Sequence, residues 1–202
     1  MTTPPAAPSS QLWNVPNILT MVRIVLVPFF IWSMLADGTQ HGGLRWVAFV
    51  LFAVAIYTDQ LDGSIARKRN LITDFGKIAD PIADKLLTGS ALVLLSVLGE
   101  LPWWITILIL VREWGITALR FVVIRYGVMP ASPGGKLKTV LQTVAILLYL
   151  FPLTPGTPIL AAIAFWIMIL ALAVTVVTGI DYIAKAVRLR ATALKGRHPE
   201  GR

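Results

Sequence analysis

Four aspartates in the segment 57–85, YTDQLDGSIARKRNLITDFGKIADPIADK, are spaced as ligands of one common site. Asp59 and Asp62 are three residues apart and Asp80 and Asp84 are four apart, so each pair shares a face if its segment is helical. Two helices joined by the intervening turn would bring the four carboxylates together. Such a cluster stays ionised only beside cations, and oxygen ligands favour Mg²⁺ or Mn²⁺. Two ions per site would clamp a phosphoryl group during in-line displacement.

The alternative is that these aspartates are solvated loop charges, paired with the neighbouring Arg67, Lys68, Arg69 and Lys77. That interpretation suits Asp74, which we leave out of the site. It does not suit the other four, because they recur at helical spacing within an apolar pattern. A charge at the centre of a membrane helix costs up to ~2.5–3.5 kcal/mol and is usually retained for function.

The composition indicates which elements must position these side chains. Of the 202 residues, 56% are hydrophobic and 14% are charged, whereas soluble domains carry about 25% charged residues. The sequence therefore predicts a membrane protein. It contains no cysteine, which excludes disulfides and thiolate metal sites.

We predict an all-α integral membrane protein with six transmembrane helices, since a helix of ~20 apolar residues spans the ~30 Å hydrocarbon core. Asn70 and Thr73 are the expected end of the second helix and N-cap of the third. Pro152, Pro155 and Pro158 mark the turn between the fifth and sixth helices. The apolar segments run roughly over 17–36, 44–66, 75–98, 102–125, 138–152 and 158–184.

The cations indicate the orientation of these spans. Lysines and arginines concentrate in the second loop, the fourth loop and the C-terminal tail, whereas the odd-numbered loops contain only Arg45. The positive-inside rule then places both termini in the cytoplasm. We expect a disordered segment 1–13, a six-helix catalytic domain 14–186 and a basic cytoplasmic tail 187–202. No aromatic residues alternate with the basic residues of that tail, which argues against nucleic-acid binding.

The spacing Asp59-x2-Asp62-Gly63-x2-Ala66-Arg67-x8-Gly76-x3-Asp80-x3-Asp84 resembles the signature of the CDP-alcohol phosphotransferase family at every fixed position. Members of that family have six transmembrane helices and are usually homodimers. The resemblance implies that a CDP-linked lipid, CDP-diacylglycerol, gives its phosphatidyl group to an alcohol with release of CMP. It also implies a bacterial inner-membrane enzyme whose active site faces the cytoplasm.

The resemblance further implies the role of each residue. Two Mg²⁺ or Mn²⁺ ions would be held by the aspartates, and Asp84 would also act as the base that deprotonates the acceptor. The segment VPNILTMVR resembles the N-terminal substrate motif of the family, although a proline-started, polar-capped helix is its alternative interpretation. The residues expected at the CDP-lipid are Asn17, Ile18, Leu19, Thr20, Gly63, Arg67 and Thr73.

Four further cations indicate the acceptor alcohol. Arg112 and Arg120 are eight residues apart, just over two helical turns, and so lie on nearly one face. Lys136 and Lys138 lie at the start of the fifth helix, where they oppose the helix dipole. The alternatives are that Arg112 pairs with Glu113 or a neighbouring aspartate and that the lysines only set the topology. As a site, the four cations suit a doubly charged phosphate monoester such as sn-glycerol 3-phosphate.

The Arg-Glu pair and the GKLKT run resemble the bacterial phosphatidylglycerophosphate synthases within the family. Related alternatives are a cardiolipin synthase, whose acceptor is phosphatidylglycerol with a single negative charge, and a phosphatidylinositol-phosphate synthase. A divalent-cation transporter is an alternative of another class. Transporters often show inverted repeats and a midplane site, whereas here no repeat is visible and the aspartates lie at one edge of the predicted spans.

Overall fold

The computed structural model describes the backbone of residues 15–69, 74–123 and 133–195. It describes side chains over 17–60, 82–119 and 135–189. Within these ranges the chain forms six α-helices and no strand, which confirms the all-α prediction. The helices are α1 (Val15–Asp37), α2 (Gly43–Arg69), α3 (Asp74–Val97), α4 (Trp103–Val123), α5 (Pro133–Leu150) and α6 (Pro158–Lys195).

Each predicted apolar segment corresponds to one helix, and the largest differences in bounds are at the start of α5 and the end of α6. Helix α5 begins at Pro133, before the predicted 138, because proline is favoured at the first helical position. Helix α6 continues to Lys195, past the predicted 184, through good helix formers such as alanine, leucine and arginine. The predicted disordered segment 1–13 and the capping residues Asn70 and Thr73 lie outside the described residues.

The chain divides into two compact units. The first contains the residues up to Leu94 together with Leu150–Pro152, and the second contains Leu95–Tyr149 and the residues from Leu153 onward. In the first unit α1 packs along α2, and the rings of Phe30 and Phe52 lie 5.7 Å apart in its core. In the second unit α4 packs against α6.

The distribution of side chains is that of a protein surrounded by lipid. Large apolar residues are exposed on the described parts of all six helices, among them Trp32 (60%), Val111 (66%) and Trp166 (66%). Several polar side chains are buried, as in the hydrogen bond of 2.7 Å between the hydroxyls of Ser96 and Thr106. Exposed large apolar side chains in this number indicate contact with another apolar phase. Two described helical stretches, Asn17–Asp37 and Pro158–Leu189, are long and apolar enough to span a membrane.

The connection between α1 and α2 is held by one carboxylate. Gly38, the residue directly after α1, has the left-handed backbone conformation at φ 60°, which glycine adopts readily. Asp37 Oδ1 then accepts hydrogen bonds from the backbone N–H groups of Gly42 at 3.0 Å and Arg45 at 3.1 Å. Asp37 at the end of α1 therefore caps the first turn of α2, whose N–H groups have no partner within the helix.

We expect Asp37→Ala to lower the free energy of unfolding by about 0.5–2 kcal/mol, because a helix loses its cap. Unfolding in mixed detergent micelles, followed by circular dichroism, measures the change. Asp37→Asn keeps a side-chain oxygen acceptor and should lose less. Asp181→Ala is the matched control, since it removes a carboxylate from an exposed pair with Lys185 on one helix, worth about 0.3–0.5 kcal/mol. Equal stability of Asp37→Ala and Asp181→Ala would contradict the capping role.

Candidate active site

The predicted metal ligands lie on two helices of the first unit. Asp59 and Asp62 belong to α2, and Asp80 and Asp84 belong to α3, so each pair has the helical spacing that the sequence predicts. Side chains are described for Asp59 and Asp84, whereas those of Asp62 and Asp80 lie outside the described residues. Among the described side chains there is no group of three or more acidic or histidine residues. The cluster of four carboxylates therefore stays a prediction.

Asp59 forms an ion pair with a cation from α1. Arg23 Nη1 lies 2.7 Å from Asp59 Oδ1, and Arg23 Nε donates to the backbone oxygen of Ala55 at 3.3 Å. The side chain of Arg23 is fully buried, while that of Asp59 is 39% exposed. The guanidinium therefore supports the carboxylate from the protein interior and leaves part of its surface open to solvent.

Arg23 is the partner of a predicted metal ligand, and the sequence analysis did not assign it, although it stands within the quoted segment VPNILTMVR. The sequence did indicate a role for Arg23, because an arginine within an apolar span needs a nearby anion. Asn17 and Thr20 precede it at three-residue intervals on the same buried face of α1. Ile18 is 41% exposed on another face of α1 and Leu19 is partly exposed. Of the other predicted CDP-lipid residues, Thr73 and the side chains of Gly63 and Arg67 lie outside the described residues.

Asp59 and Asp84, the predicted metal ligands whose side chains are described, are both partly exposed carboxylates. An ionised carboxylate offers about four lone-pair sites, and the side chain of Asp59 is partly exposed beside its contact with Arg23. Asp84 is also partly exposed, and its backbone oxygen accepts a hydrogen bond from Thr88 Oγ1 at 2.8 Å. Carboxylate oxygens are the ligand type that Mg²⁺ and Mn²⁺ favour.

In the second unit, two of the predicted acceptor-binding cations meet at one carboxylate. Arg112 Nη1 donates to Glu113 Oε1 at 3.1 Å, and Lys138 Nζ donates to the same oxygen. Arg112 also donates to α6, from Nε to the backbone oxygen of Thr175 at 3.2 Å and from Nη2 to Thr178 Oγ1 at 3.0 Å. Helix α4 is thus joined to both α5 and α6 through this cluster of Arg112, Glu113 and Lys138.

The remaining predicted cations differ in position. Lys136 is exposed, whereas Lys138 is buried, because residues two apart lie on nearly opposite sides of a helix. The side chain of Arg120 lies outside the described residues. Gln142, which the sequence analysis did not assign, lies one turn after Lys138 on the same buried face. Its Oε1 atom has no hydrogen-bond partner among the described residues, so this face of α5 contains a buried polar group in addition to the lysine.

The chain belongs to the CDP-alcohol phosphatidyltransferase family, whose model matches residues 13–177. It is 50% identical to a Mycobacterium tuberculosis protein named "Probable phosphatidylglycerophosphate synthase", over 89% of this chain and 84% of the relative. It is 38% identical to the CDP-diacylglycerol–glycerol-3-phosphate 3-phosphatidyltransferase of Bacillus subtilis, over 86% and 95% of the two chains. It is also 36% identical to the cardiolipin synthase (CMP-forming) of Streptomyces coelicolor, over 72% and 66%.

We expect Arg23→Gln to lower the free energy of unfolding by about 1.5–3 kcal/mol, because it removes the counter-ion of Asp59 and the hydrogen bond that the charged guanidinium donates to Ala55. Arg23→Lys keeps the charge and should recover part of the loss. Thermal unfolding in detergent micelles measures both variants, and Lys185→Gln, which neutralises an exposed paired cation, is the control. A stability of Arg23→Gln equal to that of Lys185→Gln would contradict a supporting role of Arg23 for Asp59.

Proposed function

We propose that the protein transfers the phosphatidyl group of CDP-diacylglycerol to sn-glycerol 3-phosphate, forming phosphatidylglycerophosphate and releasing CMP. The M. tuberculosis and B. subtilis relatives, similar to this chain over most of its length, have names that match this reaction. The structural observation that carries the proposal is the meeting of Arg112 and Lys138 at one carboxylate oxygen. Two cations held together in this way suit an acceptor that carries a phosphate group.

The proposed reaction requires one proton transfer and one displacement at phosphorus. Asp84 takes the proton from the acceptor hydroxyl, and the resulting oxygen attacks the β-phosphorus of CDP-diacylglycerol. The bond between this phosphorus and the bridging oxygen breaks, and CMP leaves with the electron pair. Phosphoryl transfer depends mainly on positioning and on neutralisation of charge, which fits a chain without a cysteine nucleophile.

The carboxylates of the first unit would also bind metal ions in this proposal. Asp59, Asp62, Asp80 and Asp84 would hold two Mg²⁺ or Mn²⁺ ions, which neutralise the diphosphate and the departing CMP. Arg23 keeps the Asp59 side chain in place through its ion pair. The nucleotide and its diphosphate would be contacted by Asn17, Ile18, Leu19, Thr20, Gly63, Arg67 and Thr73.

The acceptor phosphate would bind to cations of the second unit. Arginine suits this role because its planar guanidinium can donate to two phosphate oxygens at once. Arg112 is 17% exposed and Lys138 is 8% exposed, so both are largely screened from bulk water. Arg120 and Lys136 are the further cations that we assign to this phosphate.

We also propose six membrane spans with both termini in the cytoplasm, in the inner membrane of a bacterium. The exposed apolar side chains on all six helices support six spans, since the described parts of α2, α3, α4 and α5 show them as α1 and α6 do. The concentration of cations in even-numbered loops and in the tail supports the orientation. An active site facing the cytoplasm and a homodimer complete the proposal, by analogy with the family.

Cardiolipin synthesis is the second candidate, because the S. coelicolor relative has that name. Its acceptor, phosphatidylglycerol, carries one negative charge and two acyl chains, and so calls for fewer cations. A phosphatidylinositol-phosphate synthase is closer to the main proposal than a cardiolipin synthase is, since its acceptor also carries a phosphate. The acceptor therefore has to be decided by experiment.

The purified protein in detergent micelles, given CDP-diacylglycerol, Mg²⁺ and one acceptor at a time, should form phosphatidylglycerophosphate only with sn-glycerol 3-phosphate. Mass spectrometry of the extracted lipids identifies the product, and CMP release measures the rate. Glycerol, which lacks the phosphate, is the matched negative control. Formation of cardiolipin from phosphatidylglycerol at a higher rate would replace the main proposal with the second candidate.

We expect Asp84→Asn to lower kcat by at least about 100-fold, the lower end of the contribution of a general base. The amide has nearly the same shape as the carboxylate and cannot take up the proton. Asp181→Asn, the same chemical change in an exposed pair on α6, should leave kcat unchanged. Turnover of Asp84→Asn at the rate of Asp181→Asn would remove Asp84 from the role of base.

A further inference from the structure

We propose that Glu113 and Gly179 are positioning residues that fix the guanidinium of Arg112, together with the ammonium of Lys138, in the arrangement that receives the acceptor phosphate. The inference deepens the proposed function and rests on it for the identity of the acceptor. Neither residue is proposed to touch the reacting atoms. Both act through Arg112.

The direction of the Arg112 side chain is set from α6. Thr178 donates its own hydroxyl hydrogen to the backbone oxygen of Val174 at 2.7 Å. The Thr178 oxygen is therefore oriented to accept from Arg112 Nη2 at 3.0 Å. The backbone oxygen of Thr175 accepts from Nε at 3.2 Å and cannot move without α6. Two points of attachment on a helix define both the place and the plane of the guanidinium.

Gly179 leaves room for the side chain of Arg112 beside α6. A Cβ atom at Gly179 would lie 3.2 Å from Arg112 Cγ and 3.5 Å from Arg112 Nε. The first distance is shorter than an ordinary van der Waals contact between carbon atoms, so a side chain there would displace the stem of the arginine by a few tenths of an ångström. The stem cannot move freely in response, because its guanidinium is already attached to Thr175 and Thr178.

Glu113 supplies the third attachment and joins the two cations. Its Oε1 atom accepts from Arg112 Nη1 at 3.1 Å and also from Lys138 Nζ. Two cations that contact the same oxygen atom are close enough to repel each other, and the carboxylate between them offsets this repulsion. Glu113 is 20% exposed, so the charge of the cluster is only partly screened by water.

The attached arginine still has hydrogen-bond donors for a ligand. A guanidinium has five N–H groups, and Thr175, Thr178 and Glu113 accept from three of them. One N–H group on each terminal nitrogen has no partner among the described residues. The cluster contains the positive charges of Arg112 and Lys138 and the negative charge of Glu113, so its net charge is +1. An oxyanion is the ligand that such a fixed and positive donor pair would take.

Close helix packing is the simpler explanation for a glycine in a membrane helix, and the kinetic constants separate the two roles. A glycine needed only for packing would affect stability and both substrates together. A positioning residue for the acceptor phosphate would raise the KM for sn-glycerol 3-phosphate and leave the KM for CDP-diacylglycerol unchanged. Gly115 on α4 is the matched control, since a Cβ atom there would meet nothing within 4 Å.

The test measures both KM values of the full-length protein in micelles for Gly179→Ala, Glu113→Gln and Gly115→Ala. We expect Gly179→Ala to raise the KM for sn-glycerol 3-phosphate about threefold to tenfold, since a misplacement of 1 Å costs on the order of 100-fold. We expect about tenfold for Glu113→Gln, which weakens two charge-assisted hydrogen bonds. Gly115→Ala should match the unmodified protein. Thr178→Val, which removes one attachment of Arg112 with little change in shape, replaces Gly179→Ala if that variant does not fold.

Binding of inorganic phosphate, measured by isothermal titration calorimetry, tests the same inference without turnover. Gly179→Ala and Glu113→Gln should weaken this binding, and Gly115→Ala should not. An unchanged KM and unchanged phosphate binding in both variants, an equal rise for both substrates, or tighter phosphate binding by Glu113→Gln would each overturn the inference.

The calorimetry also separates this inference from the proposed function. If the unmodified protein does not use sn-glycerol 3-phosphate but its phosphate binding is weakened by Gly179→Ala, the proposed acceptor is wrong and the positioning role stands. If the unmodified protein uses this acceptor and the variants behave like it, the positioning role alone is wrong. If the protein neither uses this acceptor nor binds phosphate, both are wrong.

Discussion

The pairing of charges inside apolar helices is the constraint on which the rest of this structure depends. Arg23 is fully buried on α1 and forms an ion pair with Asp59 on α2. Arg112 and Lys138 share Glu113. An unpaired charge at such positions would cost several kcal/mol. Arg23 therefore joins α1 to α2 through Asp59. The cluster of Arg112, Glu113 and Lys138 joins α4 to α5 and α6.

These ion pairs are also asymmetric in their exposure, and the asymmetry links stability to function. In the first unit the cation is buried and the carboxylate is 39% exposed. In the second unit Lys138 is 8% exposed, while Arg112 and Glu113 are 17% and 20% exposed. In the first unit the buried Arg23 fixes the position of the more exposed Asp59. In the second unit Thr175, Thr178 and Glu113 fix the position of Arg112. In the proposed reaction, Asp59 would hold a metal ion and Arg112 would hold a phosphate, and neither side chain would be free to turn away.

The sequence predicted most of the helical architecture, because hydrophobic run length and proline position are local signals. It placed Asp59, Asp62, Asp80 and Asp84 on helices, as the structure does. It also named Glu113 as the alternative partner of Arg112, and the structure shows that contact. The helices α5 and α6 extend beyond their apolar runs, since a helix can continue where a membrane span ends.

What the sequence could not supply were contacts between helices distant in the chain. Nothing in the spacing of α1 indicates that Arg23 meets Asp59 rather than another aspartate. Nothing local distinguishes Gly179 from Gly115, although only the former lies against Arg112. Such contacts depend on how helices cross, and hydrophobic periodicity does not determine the crossing.

The charge balance of the second unit gives a physical reason for more than two cations at the acceptor. Glu113 neutralises one of the two positive charges of Arg112 and Lys138, so this cluster offers a single net positive charge. A phosphate monoester carries about 1.5 to 2 negative charges near pH 7. Binding it at this cluster alone would leave an excess of negative charge in a poorly hydrated site. Arg120, just over two turns beyond Arg112 on nearly the same face of α4, is a candidate to supply the missing charge. A singly charged lipid acceptor would need no such addition, so the contribution of Arg120 to substrate binding distinguishes the two kinds of acceptor.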